Sequence, residues 1–400
     1  MGAGPLRRGA GTIIQPVIVV FEKPSAWRRA ATWLRAVDVP LLLGVLVLAA
    51  IGLLAMYSSG FDHGTRFVDH GRNMLLAGAV MLVVAQVPPE RLMRLALPLY
   101  LLGVALLVAV LLFGVSRKGA QRWLDIGVVV QPSELLKVAV PLVLAWWFHV
   151  RAGRRPWLDF LLAFVLLGIP VAFIVRQPDL GTAVLVLATG LAVIFFAGLP
   201  WKLVVPPVLA LVVAVLLLLA FEDRLCADGV KWLFLHDYQR QRVCTLLDPT
   251  RDPLGSGFNI LQAMIAIGSG GLYGKGFMQG TQTHLAFIPE RTTDFIFASF
   301  SEEFGLIGNL ALISAFVFVL FRGFMIAAEA PTTFSRLLAA SLTTMVFTYA
   351  FVNMAMVSGI LPVVGIPLPF LSYGGTAMMT LGLAFGMLMS IARSRRLMPG

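Results

Sequence analysis

Charge is scarce in this chain: only 13% of its 400 residues are Asp, Glu, Lys or Arg, against about a quarter in a soluble domain. A soluble fold with 59% hydrophobic residues could not hide its apolar surface, so a set of water-soluble domains is excluded. Cysteine is nearly missing too, and two cysteines cannot staple a chain of this size, which excludes a disulfide scaffold. There is no HExxH, no GxSxG and no Cys/His set at metal spacing, and the five histidines are scattered. Zinc-peptidase and serine-hydrolase chemistry therefore have no residues to work with. What the chain does have is a succession of long apolar runs.

Ten of these runs approach the roughly 20 residues needed to cross a bilayer. They lie at about 39–57, 73–87, 95–115, 133–149, 157–175, 180–198, 201–220, 295–321, 337–360 and 373–392, the second being short and running on into its flanks. Because they are continuous and not alternating, they predict helices and not barrel strands. The expected fold is an all-α polytopic membrane protein with ten transmembrane helices and a large extracytoplasmic loop between helices seven and eight. The divisions are a cytoplasmic tail at 1–38, helices one to seven at 39–220, the loop at 221–294, helices eight to ten at 295–392 and a second tail at 393–400. With the N-terminus inside, the short inner segments hold seventeen Lys and Arg and the short outer loops six. That asymmetry places both termini in the cytoplasm. The net charge of +11, spread over short loops, reads as orientation and contact with anionic membrane lipids, with no nucleic-acid partner. A polar tail precedes a first run long enough to span, so no cleavable signal peptide is expected. Residues 25–37, with Trp27, Trp33 and three arginines, predict an amphipathic helix at the cytoplasmic interface.

The loop at 221–294 is far longer than a simple connection, and loops of that length usually carry function. It holds both cysteines, Cys226 and Cys244, whose spacing fixes no geometry: a disulfide suits an oxidising outer compartment, and two inert thiols are the alternative. Residues 258–267 read as a short amphipathic helix on or in the membrane. Gly274-Lys275 invites a phosphate-loop reading, but Ser269 stands where that motif needs glycine and Gly276 where it needs Ser or Thr. No nucleotide and no organic cofactor is expected.

Four clusters put charge where membrane proteins avoid it, and intramembrane or membrane-boundary charge is a functional hypothesis by default. Arg117, Lys118 and Arg122 sit in a short outer loop, against the positive-inside trend, which suits an anionic ligand such as a phosphate. Just beyond, Pro132-Ser133 is a plausible helix start, and Glu134 and Lys137 share one helix face, either as site residues or as an ion pair joining helices. Arg176 and Asp179 flank a proline turn, as a clasp or a ligand site. Lys275 is a further candidate anion contact. Asp294 stands where the loop becomes the eighth helix; Thr293 is a fair N-cap, which would set Asp294 in the first turn. Glu302 and Glu303 follow inside the apolar run.

The strings RKGAQRW and QPSELLK, RQPDLGTA, YQRQRV with LDPTRDPLGSGFN, AIGSGGLYGKG, IPERTTDFIFA with SEEFG, and NMAMVSGILPVVGIPLPFLSYGG resemble, in order and from about residue 38 to 396, the SEDS family (shape, elongation, division and sporulation). The HLAFIPERTTDFIF wording leans to its cell-elongation branch. The resemblance implies a peptidoglycan glycosyltransferase that polymerises lipid II at the outer face of the bacterial cytoplasmic membrane, with a class B penicillin-binding protein as transpeptidase partner. It also implies that Asp294 is the catalytic residue and that Arg117, Trp123, Gln131, Ser133, Glu134 and Lys137 line the adjacent cavity.

An α-linked donor giving a β-1,4 product needs one inverting displacement. The pyrophosphate leaves as an anion, so one base and a set of cations suffice. Asp294 is the base, with Arg117, Lys118, Lys137 and Lys275 as charge stabilisers, and a divalent cation (magnesium or manganese) held by Asp294 and Glu302 is a further expectation. The rival readings are a lipid II flippase, a division-branch polymerase with the same chemistry, and a non-catalytic scaffold.

Overall fold

The computed structural model describes residues 37–62, 64–117, 120–125, 129–151, 156–227, 230, 237–251, 257–285, 287–288 and 290–396. Residues 1–35 and 36–400 form separate units, and the interfacial helix expected at 25–37 lies almost wholly outside the described residues. The second unit contains helices α1 (Val39–Ser59), α2 (Arg66–Val84), α3 (Pro89–Phe113), α4 (Pro132–Val150), α5 (Pro156–Arg176), α6 (Leu180–Phe196) and α7 (Trp201–Ala220). Four shorter helices follow: α8 (Glu222–Leu225), α9 (Asp237–Leu247), α10 (Phe258–Ser269) and α11 (Thr281–His284). The last three are α12 (Ile296–Ala328), α13 (Thr333–Val357) and α14 (Gly375–Arg396). Nine of the described helices are long and apolar enough to cross a membrane. Helix α6 has 17 residues, about 26 Å at 1.5 Å per residue, which is still within the span range.

The ends of the helices follow local rules. Proline falls at the first turn of α1, α3 and α4, where its missing N–H costs nothing. Asp38 caps α1 by accepting from Leu41 N at 3.1 Å and also takes the Arg322 guanidinium of α12 in a two-pronged pair at 2.9 and 2.6 Å. Helix α2 begins seven residues before the apolar run at 73, because Arg66, Asp69, His70 and Arg72 interrupt the apolar pattern in its first two turns. In them His70 is fully buried against the Phe370 carbonyl at 3.1 Å.

Lipid is as apolar as leucine, so helices associate in it by close packing and not by hydrophobic drive. The α2–α14 contact is built that way. Gly382 and Gly386 lie one turn apart, and a Cβ would sit 2.5 Å from the Ala77 carbonyl oxygen at the first and 2.7 Å from that of Met81 at the second.

Two departures from an all-helical reading position the site. The loop after α3 forms three short antiparallel strands, β1 (Val115–Arg117), β2 (Ala120–Asp125) and β3 (Val129–Val130), with Val115 opposite Trp123 and Leu124 opposite Val130. Helix α12 is broken at Gly305 (φ 63°, ψ −160°), and the glycine-rich segment at 271–276 fills the break. Lys275 N and Gly276 N donate to the Glu302 and Glu303 carbonyls at 3.0 and 3.1 Å, while Leu306 N and Ile307 N donate to Gly271 and Leu272 carbonyls at 2.9 and 3.1 Å. A broken helix at membrane depth survives only when its backbone groups are satisfied in this way. In the long loop Cys226 and Cys244 form a disulfide, with Cα atoms 5.7 Å apart.

Candidate active site

A cavity of about 330 Å³ collects Arg122, Gln131, Glu134, Lys137, Asp179 and Asp294, together with Glu290, Gly365, Tyr373 and Thr376. Strand β2 delivers Arg122; the first turns of α4, α6 and α14 and the turns at 290–294 and 365–374 supply the rest.

Gln131 is the N-cap position of α4 but makes no side-chain cap. Its amide is left to donate to Asp179 Oδ2 at 2.9 Å. Asp179 in turn caps α6 by accepting from Thr182 N at 3.3 Å and pairs with Arg122 at 3.6 Å; Arg122 also donates to the Pro178 carbonyl. The pairing expected within the proline turn is thus replaced by one across it. Arg176 ends α5 exposed and outside the cavity lining, while its neighbour Gln177 turns inward to donate to the Leu107 carbonyl at 3.1 Å.

Lys137 is buried, and a buried ammonium is tolerable only when paired. It donates to Glu134 Oε1 at 2.6 Å and to the Tyr349 hydroxyl of α13 at 2.9 Å. The other oxygen of Glu134 accepts from Thr380 of α14 at 2.9 Å. The pair therefore lines the cavity and joins three helices.

Asp294 is half-buried in a turn just before α12, which starts at Ile296. Thr293 is not the N-cap, because its hydroxyl donates back to Glu290 Oε2 at 2.7 Å. Asp294 consequently stands outside the first helical turn. The turn is held on both sides. Asn353 Nδ2 donates to the Asp294 carbonyl at 2.9 Å and the Ile366 carbonyl at 2.7 Å. The Ser372 hydroxyl donates to the Thr293 carbonyl at 2.6 Å, and Tyr373 N to that of Thr292 at 2.8 Å. Arg291, buried, donates to the Ser59 carbonyl at 3.0 Å and to Asp62. Gly365 has φ +72°, and a Cβ there would stand 3.4 Å from Asp294 Oδ2.

The remaining sequence candidates lie elsewhere. Ser133 is buried in the start of α4 and, like Trp123, does not line the cavity. Lys118 and the side chain of Arg117 fall outside the described residues. Lys275 and Glu302 face each other at 2.7 Å and are absent from the cavity lining. Glu302 is fully buried, and its two oxygens also accept from Gln282 N, Thr283 N and the hydroxyls of Thr281 and Thr283. A carboxylate so engaged is a latch for the segment at 275–283, and the expected Asp294–Glu302 metal pair is not what the residues build. Among the described residues no three His, Cys, Asp or Glu cluster closely enough to hold a metal by themselves.

Sequence reasoning missed Glu290, Asn353, Tyr349, Tyr373, Thr376 and Thr380. The only signal was that several stand in or beside motifs already marked, as Asn353 opens NMAMVSGILPVVGIPLPFLSYGG.

The helical bundle defines a polytopic membrane protein with a polar cavity formed where several helices begin. The model of the FtsW/RodA/SpoVE cell cycle proteins matches residues 32–397, and the chain belongs to that family. The peptidoglycan glycosyltransferase MrdB of Escherichia coli (strain K12) is 47% identical over 364 residues, covering 90% of this chain and 95% of that one. A probable peptidoglycan glycosyltransferase FtsW of Trichlorobacter lovleyi is 33% identical over 376 residues, covering 90% and 94%. Among solved structures, the rod shape determining protein RodA of Thermus thermophilus superposes with a TM-score of 0.64 at 26% identity, covering 90% and 97%. A chain from a study of polymerization and crosslinking by a peptidoglycan synthase complex gives 0.74 at 30% identity, covering 90% and 98%.

Proposed function

We propose that this chain is the peptidoglycan glycosyltransferase of a bacterial cell-elongation machinery, extending glycan strands from lipid II with inversion to a β-1,4 linkage. The observation that carries this reading is the gathering of Asp294 with Arg122, Gln131, Glu134, Lys137 and Asp179 in one polar cavity. The elongation branch is favoured over the division branch by 47% identity to MrdB against 33% to an FtsW.

In the reaction, the 4-hydroxyl of the acceptor sugar attacks the anomeric carbon of the lipid-linked donor. Asp294 takes the hydroxyl proton, the C1–O bond breaks, and the pyrophosphate leaves with its electron pair without needing an acid. The charge balance of the chamber bears on that departure. Among the described residues of the lining, two cations, Arg122 and Lys137, face four carboxylates, Glu134, Asp179, Glu290 and Asp294, and both cations are already paired. A pyrophosphate entering this lining meets formal negative charge, which favours its arrival with a magnesium or manganese ion. Asp294 and Glu290 would hold such an ion, which would supply charge neutralisation on the leaving group.

Orientation follows the positive-inside count, with both termini cytoplasmic and the cavity at the outer face. The Cys226–Cys244 disulfide supports an oxidising compartment for the long loop. The partner is a class B penicillin-binding protein, a reading supported by the synthase complex among the structural relatives.

The test is lipid II polymerisation by the purified chain with its cognate penicillin-binding protein, β-lactam-blocked, comparing wild type and Asp294→Asn with divalent metal present and chelated. Strands from wild type and none from a folded Asp294→Asn protein are expected. Equal strands from both would move the base to Glu290 or Glu134, and none from either would reopen the flippase and scaffold readings.

A further inference from the structure

A second polar cavity, of about 270 Å³, lies at the other end of α14 and takes no part in the proposed reaction. It is lined by Gln86, Glu90, Ser390, Arg393, Ser394 and the turn at 87–89. Thirteen residues of α14 separate Ala377, in the first cavity, from Ser390, about 20 Å along the axis. The two are distinct sites at opposite ends of the bundle.

One buried donor in it is left without an acceptor among the described residues. Arg393 Nη1 donates to Gln86 Oε1 at 2.9 Å, which fixes the orientation of the amide. Gln86 Nε2 is then buried with no hydrogen-bond partner among the described residues. An amide N–H in that position calls for an acceptor. The Ser390 and Ser394 hydroxyls donate to the Val87 and Ile391 carbonyls, and neither bonds to Gln86 Nε2. Helix α3 starts in the wall while α2 and α14 end in it, so the helix ends do not decide the sign of the ligand and the side chains must. Glu90 is the one carboxylate among the described lining residues, and it is exposed. Arg91 and Arg94 follow it in the sequence. A ligand that satisfies this set is an anion with several oxygens, which the guanidinium fork and the amide can grip together. Helix α2 ends here, α3 begins here and α14 ends here, which is the level at which phospholipid headgroups lie.

We propose that this cavity binds the phosphate of an anionic phospholipid headgroup through Arg393 and Gln86. The site needs neither the proposed reaction nor the proposed orientation, because headgroups border both faces. The test is native mass spectrometry of the full detergent-solubilised chain titrated with phosphatidylglycerol or phosphatidylcholine, for wild type, Arg393→Gln, Arg393→Lys and Gln86→Leu. Wild type should bind phosphatidylglycerol about tenfold more tightly than Arg393→Gln, with Gln86→Leu weakened, Arg393→Lys intermediate and phosphatidylcholine indifferent to all three. A parallel arm adds inorganic phosphate. If phosphate alone stabilises wild type but not Arg393→Gln, and phosphatidylglycerol shows no preference, the ligand is a soluble anion and the lipid assignment is overturned. Equal phosphatidylglycerol binding by wild type and all variants that retain full helical circular dichroism overturns the site itself. Should Arg393→Gln fail to fold, Gln86→Leu gives the same reading.

Discussion

Asn353 offers the sharpest test of how the candidate base is held. It is fully buried on α13, and its amide bridges the carbonyls of Asp294 at 2.9 Å and Ile366 at 2.7 Å. Those carbonyls belong to the two turns that wall the cavity, so one side chain sets their spacing. Asn353→Ala removes both donors and leaves two acceptors unmet, a cost of roughly 2–6 kcal/mol at about 1–3 kcal/mol each. The turn relieves it by moving, and a displacement of about 1 Å at a reacting group costs on the order of a hundredfold in rate. The expected outcome is a hundredfold fall in kcat for lipid II polymerisation with KM within about threefold of wild type. Ser341→Ala is the control. Ser341 is also buried on α13 and also donates across helices, to the Thr189 carbonyl at 2.8 Å, but twelve residues, about 18 Å, from Asn353. It should lower thermal stability and leave kcat alone. If Asn353→Ala loses stability like Ser341→Ala yet keeps kcat within threefold of wild type, Asn353 is packing only and the reasoning fails.

Breaking the Glu134–Lys137 pair by Glu134→Gln or Lys137→Met should destabilise the detergent-solubilised protein by about 3–5 kcal/mol each, and the double variant by less than their sum; additivity in a thermal-unfolding cycle would show that the pair contributes nothing. Glu302→Gln should reduce the yield of folded protein by unlatching the segment at 275–283, while the metal dependence of the remaining polymerisation stays as in wild type; a shifted metal dependence would restore Glu302 to a metal site. Gly274→Ala places a Cβ 2.0 Å from the Glu303 carbonyl oxygen at a φ of +78°, so folded protein should be nearly lost, and a normal melting curve would mean that the segment at 271–276 does not fill the α12 break. Replacing both Cys226 and Cys244 by serine, which opens a link of sequence separation 18, should cost the loop about 3 kcal/mol and speed tryptic cleavage near Arg240; unchanged cleavage would refute that estimate.

The spans were legible because a membrane helix needs only an apolar run, a property of consecutive residues. Where that rule is silent the reading slipped. The start of α2 was set late because Arg66, Asp69 and His70 are polar, yet His70 finds its acceptor 300 residues away at Phe370. The site was half legible for a similar reason. Asp294, Gln131, Glu134 and Lys137 announce themselves as polar residues at helix starts. Asn353, Tyr349 and Thr380 sit inside helices and matter only because folding sets them against Asp294, Lys137 and Glu134. Arg176 and Asp179 were paired by sequence distance, but a helix end rotates successive residues to different sides, and the proximity that counted came from β2.

Glu302 shows where the rule that intramembrane charge implies function gives way. A carboxylate inside an apolar helix demands donors, and substrate, metal and protein can all supply them. Here the protein does so, through a segment whose glycines are required to reach it. Gly274 and Gly280 come so close to the 302–303 backbone and side chains that a Cβ would stand 2.0 Å from the Glu303 carbonyl oxygen and 2.9 Å from Glu302 Oε2. The glycine-rich string and the buried glutamates, read separately as two hints of ligand chemistry, are one structural device that lets α12 break without leaving polar groups bare. With that device set aside, the charged set around Asp294 lines a polar cavity, and that is where we propose the reaction.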